Sequence, residues 1–311
     1  MPESVEVFNI TNWLNNNCKN KIINDITFLN YKTTQKYQDE IKNYLPLMVK
    51  RVYCKAKHII WVCRSLNNKE KKIKNVKNVK NAKNVNIVES EIYFHNHLGM
   101  TGRWSLDESK HNRILFTFDQ NFPVLSNKLY FEDTRKFGKF DICLNKTDLD
   151  DKLKSVGCDL LKISLEYYKN KNEKIIKSTQ LKWLNHFNNI KSKTRPANRN
   201  IYNVLMDQKH FSGLGNYLTS DVLYGSKINP NRKISDLTSN EIILLFNKSM
   251  EILYRSYLSG GLTIKDYWDP DNNKGTYKCL VYGKSMDNLG NKIIKTKISA
   301  RTCHWVPIIQ K

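Results

Sequence analysis

The segment from Asp207 to Leu218, DQKHFSGLGNYL, constrains this chain more than any other. Ile201, Val204 and Leu205 stand at helical spacing before it, Leu218 and Val222 continue the pattern after it, and Gly213 and Gly215 interrupt it between them. That arrangement predicts two short helices joined across a glycine turn. Glycine admits a left-handed backbone and covers nothing, so a helix beginning near Asn216 presents its first amide N–H groups bare. A helix start of that kind binds an anion, and in a chain of formal net charge +23 the simplest anion is a nucleic-acid phosphate. A tight helical hairpin in a core would carry the same letters, so the remainder of the chain decides between them.

Lysine and arginine number 52 against 29 aspartates and glutamates, and the pI is about 9.6. A polyanionic partner follows, although the charge alone does not separate DNA from RNA or a membrane surface. No apolar run approaches the roughly 20 residues that span a bilayer, and the start lacks the apolar block of a secretory signal. The chain reads as a soluble intracellular protein of 311 residues, long enough for two cores. Its seven cysteines are odd in number and scattered, with no C-x2-C pair, so neither a disulfide framework nor a zinc site is supported and no cofactor is implied.

Met1-Pro2-Glu3 opens directly into a helical pattern with Val7, Ile10 and Leu14 on one face. Pro2 is small enough for Met1 to be trimmed, which would expose a secondary amine, although proline at a helix start is also ordinary. From Ile22 to Cys143 the pattern is mainly β, with Ile26–Leu29, Ile59–Cys63, Ile92–Phe94 and the alternating Ile114–Phe118 as strands of a sandwich or barrel. Leu66 to Asn86 repeats Lys-Asn-Val steps and reads as a mobile basic insertion, extending over 66–90. Residues 151–195 are rich in lysine and asparagine and read as a linker running into a helix. Thr238-Ser239-Asn240-Glu241 is a capping box opening an amphipathic helix that ends at Gly260-Gly261. The expected organisation is therefore 1–150, the linker 151–195, a helical domain 196–261 and a terminal segment 262–311.

Several motifs occur in one order: Pro2-Glu3, Cys54-Lys55-Ala56-Lys57-His58-Ile59-Ile60, His97-Leu98-Gly99-Met100-Thr101-Gly102-Arg103, Lys110-His111-Asn112-Arg113, Asp133-Thr134-Arg135-Lys136-Phe137-Gly138, Gly157-Cys158-Asp159-Leu160-Leu161 and the glycine turn with Tyr224-Gly225-Ser226-Lys227-Ile228-Asn229-Pro230. Together they resemble the formamidopyrimidine-DNA glycosylase/endonuclease VIII family. The resemblance implies an α+β fold, with an N-terminal β-sandwich, flanking helices, and a C-terminal helical domain that carries a helix-two-turn-helix and a β-hairpin finger. It implies a monomer acting on damaged duplex DNA, as a bifunctional glycosylase and abasic-site lyase that excises oxidised bases, formamidopyrimidine-type purines foremost.

Carried over residue by residue, the resemblance makes the Pro2 nitrogen the nucleophile, Glu3 the group that protonates the sugar or assists base loss, Lys57 the proton donor in β-elimination and Arg301 the finger arginine that assists δ-elimination. The chemistry suits a proline. A secondary amine on C1′ gives an iminium with no N–H to lose, which acidifies the neighbouring C2′ hydrogen, and an α-amino group titrating near about pH 8 is partly free base at neutral pH. His97, His111, Arg135 and Asn216 are then DNA contacts. Met100, Arg135 and Phe137 fill the void left when the damaged nucleotide is extruded.

This sequence departs from the family in places. Ala56 stands where a glycine is usual, and Tyr202 where many members carry lysine. In the finger the later cysteine pair is replaced by Val306 and Ile309, and the earlier pair is absent around Asp287-Asn288-Leu289-Gly290. Without thiolates there is no tetrahedral site. The segment resembles the zincless finger of plant and of some animal or viral members, in which packing replaces the metal. Two alternatives remain at this stage: an endonuclease VIII-like enzyme for oxidised pyrimidines, and a non-catalytic nucleic-acid-binding protein, since a ribosomal protein also carries a helix-two-turn-helix.

Overall fold

A computed structural model describes residues 2–29, 34–67, 91–119, 127–170, 173–193, 197–262, 271 and 273–311. Met1, and the lysine- and asparagine-rich insertion from residue 68 to 90, lie outside the described residues. The chain divides into two compact units, Ile10–Cys54 with His58–Lys152, and Met1–Asn9 with Lys55–Lys57 and Leu153–Lys311.

The first of these, the β unit, takes in the later part of α1 (Ser4–Cys18) and then β1 (Ile22–Phe28), α2 (Thr34–Lys42), β2 (Leu47–Lys55), β3 (His58–Ser65), β4 (Glu91–His97), β5 (Gly102–Ser105), β6 (Asn112–Phe118), β7 (Lys128–Asp133), β8 (Lys139–Cys143) and most of α3 (Lys146–Leu153). The strands form one eight-stranded sheet in the order β5-β7-β6-β1-β2-β3-β4-β8. β1 and β2 meet through Ile22–Met48 and Ile23–Leu47, whereas β3 and β4 run together from His58–His97 to Arg64–Glu91. Trp104 on β5 lies 6.4 Å from Phe140 on β8, although these strands end the order on opposite sides. The sheet therefore closes over itself as a sandwich. Buried Trp61, Phe94, Phe116 and Phe131 fill the space between its halves, and the Trp104 indole N–H finds the Asn96 side-chain oxygen at 3.0 Å, as a buried indole requires.

The second, helical unit contains β9 (Cys158–Asp159), α4 (Leu160–Asn170), α5 (Glu173–Lys191), α6 (Ile201–Met206), β10 (Phe211–Ser212), α7 (Asn216–Gly225), α8 (Ser239–Leu258), β11 (Ile294–Ile298) and β12 (Arg301–Trp305). β9 and β10 pair in parallel through Cys158–Phe211 and Asp159–Ser212. Where the sequence reads as a linker there are two helices, α4 and α5. Trp183, Phe187 and Ile190 make a buried stripe on α5, and Trp183 packs 4.0 Å from Phe211 of the glycine turn. Surrounding lysines and asparagines hide this stripe in a composition count, yet burying each such aromatic contributes about 1.5–3 kcal/mol. α8 begins at a capping box formed by Thr238 and Glu241, as the motif predicts, and Ile242, Phe246 and Leu253 are buried.

β11 and β12 form the terminal hairpin, in register from Ile294–Trp305 to Ile298–Arg301. Its base is held by apolar and carboxylate contacts. Val281, Ile293 and Val306 form a buried cluster with Tyr224 and Ile309 against it. Asp221 on α7 is fully buried and accepts the Tyr277 hydroxyl and the backbone N–H groups of Leu280 and Val281 at 3.0, 2.7 and 3.0 Å. Asp287 accepts the Tyr224 hydroxyl and the N–H groups of Leu289 and Asn291, closing the turn that leads to Gly290.

Candidate active site

Pro2 and Glu3 immediately precede α1, and both are buried. Glu3 reaches the start of α7, where the N-cap is Gly215 and no side chain of that residue can cap the helix. Its carboxylate accepts the Gly215 N–H at 2.7 Å and the Tyr217 N–H at 3.0 Å. The amides expected to await a phosphate are thus occupied by a carboxylate of the chain itself. Space explains it: a Cβ on Gly215 would sit 2.2 Å from the Glu3 carboxyl. The helix N-terminus favours that negative charge.

Lys57 lies in the turn between β2 and β3, buried, with its ammonium donating to the Leu214 carbonyl at 2.8 Å. Burial pushes its pKa down, Glu3 and Glu6 pull it up, and Arg301 lowers it further. Burial likewise pushes the Glu3 carboxyl up to about 7; Lys57 opposes the rise, Glu6 adds to it, and the two amide bonds oppose it. A carboxyl raised to about 7 and an amine lowered from its ordinary range, both buried at the glycine turn, suit proton transfer. Arg301 opens β12 and is half-buried; Asn216 opens α7 and is half-buried. Pro2, Glu3, Lys57, Asn216 and Arg301 all belong to the helical unit.

Three further carboxylate and amide side chains, Glu6 outside the motifs and Gln208 and Asp159 within them, support this group. Glu6 is fully buried and accepts the Glu3 N–H, the Tyr217 hydroxyl and the Leu262 N–H, each at 2.8 Å. Its signal was available, since a carboxylate three residues after Glu3 on a helix shares its face. Gln208 braces the glycine turn, accepting the Gly213 N–H at 3.0 Å and donating to the Leu214 carbonyl at 2.8 Å. Asp159 accepts the Ala56 N–H at 2.7 Å, and Ala56 adopts a φ of 52°, the left-handed conformation that glycine takes more readily.

His97, Met100, His111, Arg135 and Phe137 fall in the β unit. Two turns come together there. Asp133, fully buried, accepts the Thr101 hydroxyl at 2.7 Å and the Gly138 N–H at 2.6 Å, and Thr101 in turn accepts the Arg135 N–H at 3.0 Å. Arg135 reaches the Met100 sulfur at 3.9 Å. Gly99 has a φ of 65°, and a Cβ there would meet the Phe137 carbonyl carbon at 2.5 Å, so only glycine permits the approach. Phe137 is 59% exposed, which removes it from the core. The His97 ring accepts the Gly99 N–H at 3.1 Å, and the His111 carbonyl accepts the Asp133 N–H at 3.0 Å. Asp133, which carries the two turns, lies within a sequence motif whose letters alone do not show this bridging role.

Among the described residues no group of three or more histidines, cysteines, aspartates or glutamates is arranged to hold a metal, and no helix is long and apolar enough to cross a membrane. Residues 1–140 match the family model of the formamidopyrimidine-DNA glycosylase N-terminal domain, and residues 182–267 that of the formamidopyrimidine-DNA glycosylase H2TH domain. The formamidopyrimidine-DNA glycosylase of Rickettsia felis is 30% identical over 323 residues, covering 98% of this chain and 96% of that protein. That of Rickettsia massiliae is 31% identical over 228 residues, covering 69% and 71%. In fold, the MutM (Fpg) protein of Thermus thermophilus matches with a TM-score of 0.73 at 19% identity, over 99% of this chain and 98% of that one. The Lactococcus lactis enzyme non-covalently bound to DNA containing an abasic site matches with a TM-score of 0.70 at 21% identity, over the full length of both. This chain, matched by both domain models and by a relative along nearly its whole length, belongs to the formamidopyrimidine-DNA glycosylase family.

Proposed function

We propose that the protein is a bifunctional DNA glycosylase and abasic-site lyase of base excision repair, which removes an oxidised base and nicks the strand at the site left behind. One observation supports the reading: the carboxyl of Glu3, the residue that follows Pro2, and the ammonium of Lys57 are both buried at the glycine turn, with proton affinities displaced toward neutrality.

The steps follow from those groups. The Pro2 nitrogen, as free base, bonds to C1′ and sheds its N–H proton to solvent while the base departs with the electrons of its bond to C1′. Glu3, protonated below about pH 7, gives its proton to the sugar ring oxygen as the C1′–O4′ bond breaks, and the nitrogen lone pair closes the iminium. That positive nitrogen draws electrons from the C2′–H bond; the proton leaves, and the 3′ phosphate departs in β-elimination, for which Lys57 handles the proton. Arg301, at the head of the terminal hairpin, offers a cation to the remaining phosphate for δ-elimination. His97, His111 and Asn216 offer contacts to the DNA backbone, and Met100, Arg135 and Phe137 supply the side chains that occupy the vacated position in the stack. The packing of Val281, Ile293 and Val306 and the Asp221 and Asp287 contacts support a finger that needs no metal.

The substrate class we favour is oxidised purines of the formamidopyrimidine type in duplex DNA. A panel of single-lesion duplexes carrying a formamidopyrimidine, 8-oxoguanine, thymine glycol or 5-hydroxyuracil tests it. Fastest excision of the formamidopyrimidine is expected; a preference for the two pyrimidines would move the substrate to the endonuclease VIII side, and no excision of any of them would remove the glycosylase reading.

A further inference from the structure

Tyr202 on α6 is almost completely buried, with 1% of its surface exposed, and its hydroxyl donates to the side-chain oxygen of Asn216. The amide nitrogen of Asn216 donates in turn to the carbonyl of Thr302 at 3.1 Å, and the same side chain hydrogen-bonds Tyr282. Thr302 follows Arg301 directly on β12. A carbonyl accepts and never donates, so this chain of bonds has one sense: the phenol fixes the amide oxygen, and the fixed amide aims its N–H at Thr302. A flipped amide would set oxygen against oxygen at Thr302. Arg301 is near enough to affect the Tyr202 hydroxyl electrostatically, so both ends of the relay lie in one neighbourhood.

We propose that Tyr202 is a positioning residue that acts through Asn216 and Thr302 on Arg301, and so sets how far strand cleavage proceeds from the β- to the δ-elimination product. The inference rests on the lyase reading above. Tyr202 carries no positive charge at neutral pH, so its contribution is directional and adds nothing to phosphate attraction. Without the hydroxyl the Asn216 amide keeps its sense but loses one of the bonds that hold it in place, its bond to the Thr302 carbonyl loosens, and the arginine beside it spends less time aligned with the departing phosphate.

The test uses the full-length protein and a duplex containing one abasic site, with β- and δ-elimination products separated on a gel. Tyr202→Phe keeps the ring and its packing. The ratio of δ to β product should fall about three- to tenfold, the effect of one net hydrogen bond, while borohydride trapping and the initial nicking rate stay within about twofold. Asn216→Asp keeps an acceptor for the phenol but cannot donate to Thr302, and should give the same altered ratio, with no further change in the double variant. An unchanged ratio in Tyr202→Phe overturns the proposal while the lyase reading stands. An altered ratio in Tyr202→Phe with a normal one in Asn216→Asp overturns the route through Asn216. Wild-type protein that leaves abasic DNA uncut would instead remove the lyase reading, and the proposal with it.

Discussion

Glu3 accepts the backbone N–H of Gly215 at 2.7 Å, so the carboxylate of the third residue closes a helix that begins at position 216. The contact exists because Gly215 has no side chain. Gly215→Ala would place a methyl carbon 2.2 Å from that carboxyl, and its φ of −127° adds no backbone strain, so the whole effect comes from the collision. Displacing Glu3 by about 1 Å is expected to slow base excision on the order of a hundredfold. Single-turnover rates on a lesion duplex check this; a rate within a few fold of wild type would contradict the placement of Glu3.

In the proposed mechanism Glu3 holds its proton until the sugar ring opens. Burial lifts its pKa to about 7, so the protonated fraction falls as pH rises through that value. Excision should therefore decline above about pH 7, by about tenfold per pH unit once the carboxyl is mostly ionised. Nicking of a preformed abasic site bypasses this step and should lack the decline. Glu3→Gln should lose excision by at least about a hundredfold and keep abasic-site trapping. Parallel pH profiles for the two substrates would count against the role of Glu3.

Asp133 holds the turn of Met100 to the turn of Arg135 and Phe137 through Thr101 and Gly138. Asp133→Ala removes the carboxylate that accepts from the half-buried Thr101 hydroxyl and the buried Gly138 N–H, a loss of roughly 1–3 kcal/mol for the buried bond before relaxation. Melting should fall, and excision from duplex should fall more than cleavage at a single-stranded abasic site, where little stacking is disrupted. Met100→Ala should show the same substrate asymmetry without the drop in melting temperature, since its side chain is half-exposed. Equal losses on both substrates would assign Met100 to packing.

The finger is expected to keep its shape after exhaustive chelation, with melting and trapping unchanged. Asp221→Ala should loosen it, because Tyr277, Leu280 and Val281 lose a shared acceptor. Arg301→Ala should weaken DNA binding and reduce the salt slope by about one. Stoichiometric zinc in the purified protein, with activity lost on its removal, would contradict this account of the finger.

Much of this architecture is legible in the letters, and the reasons for the failures are physical. The α8 capping box and the glycine turn before α7 follow local rules of backbone hydrogen bonding, so short windows reveal them. The stretch reads as a linker running into one helix, whereas two helices occupy it, because the buried Trp183, Phe187 and Ile190 of α5 are separated by lysines and asparagines that dominate the average. The occupancy of the α7 amides by Glu3 joins residues more than 200 positions apart, which no local window contains. Asp133, Glu6 and Gln208 act by holding other residues, and a partner's identity is a property of the fold.

The proposed lyase chemistry puts the covalent bond to DNA on the Pro2 nitrogen. Borohydride reduction during reaction with abasic or lesion DNA, followed by intact mass measurement, tests it in the native protein and in one carrying an extra residue before Pro2. The native protein should lack Met1 and be trapped on the DNA through its N-terminus, and the extended protein should give no adduct. Full trapping of the extended protein, with the adduct on a lysine, would contradict the account.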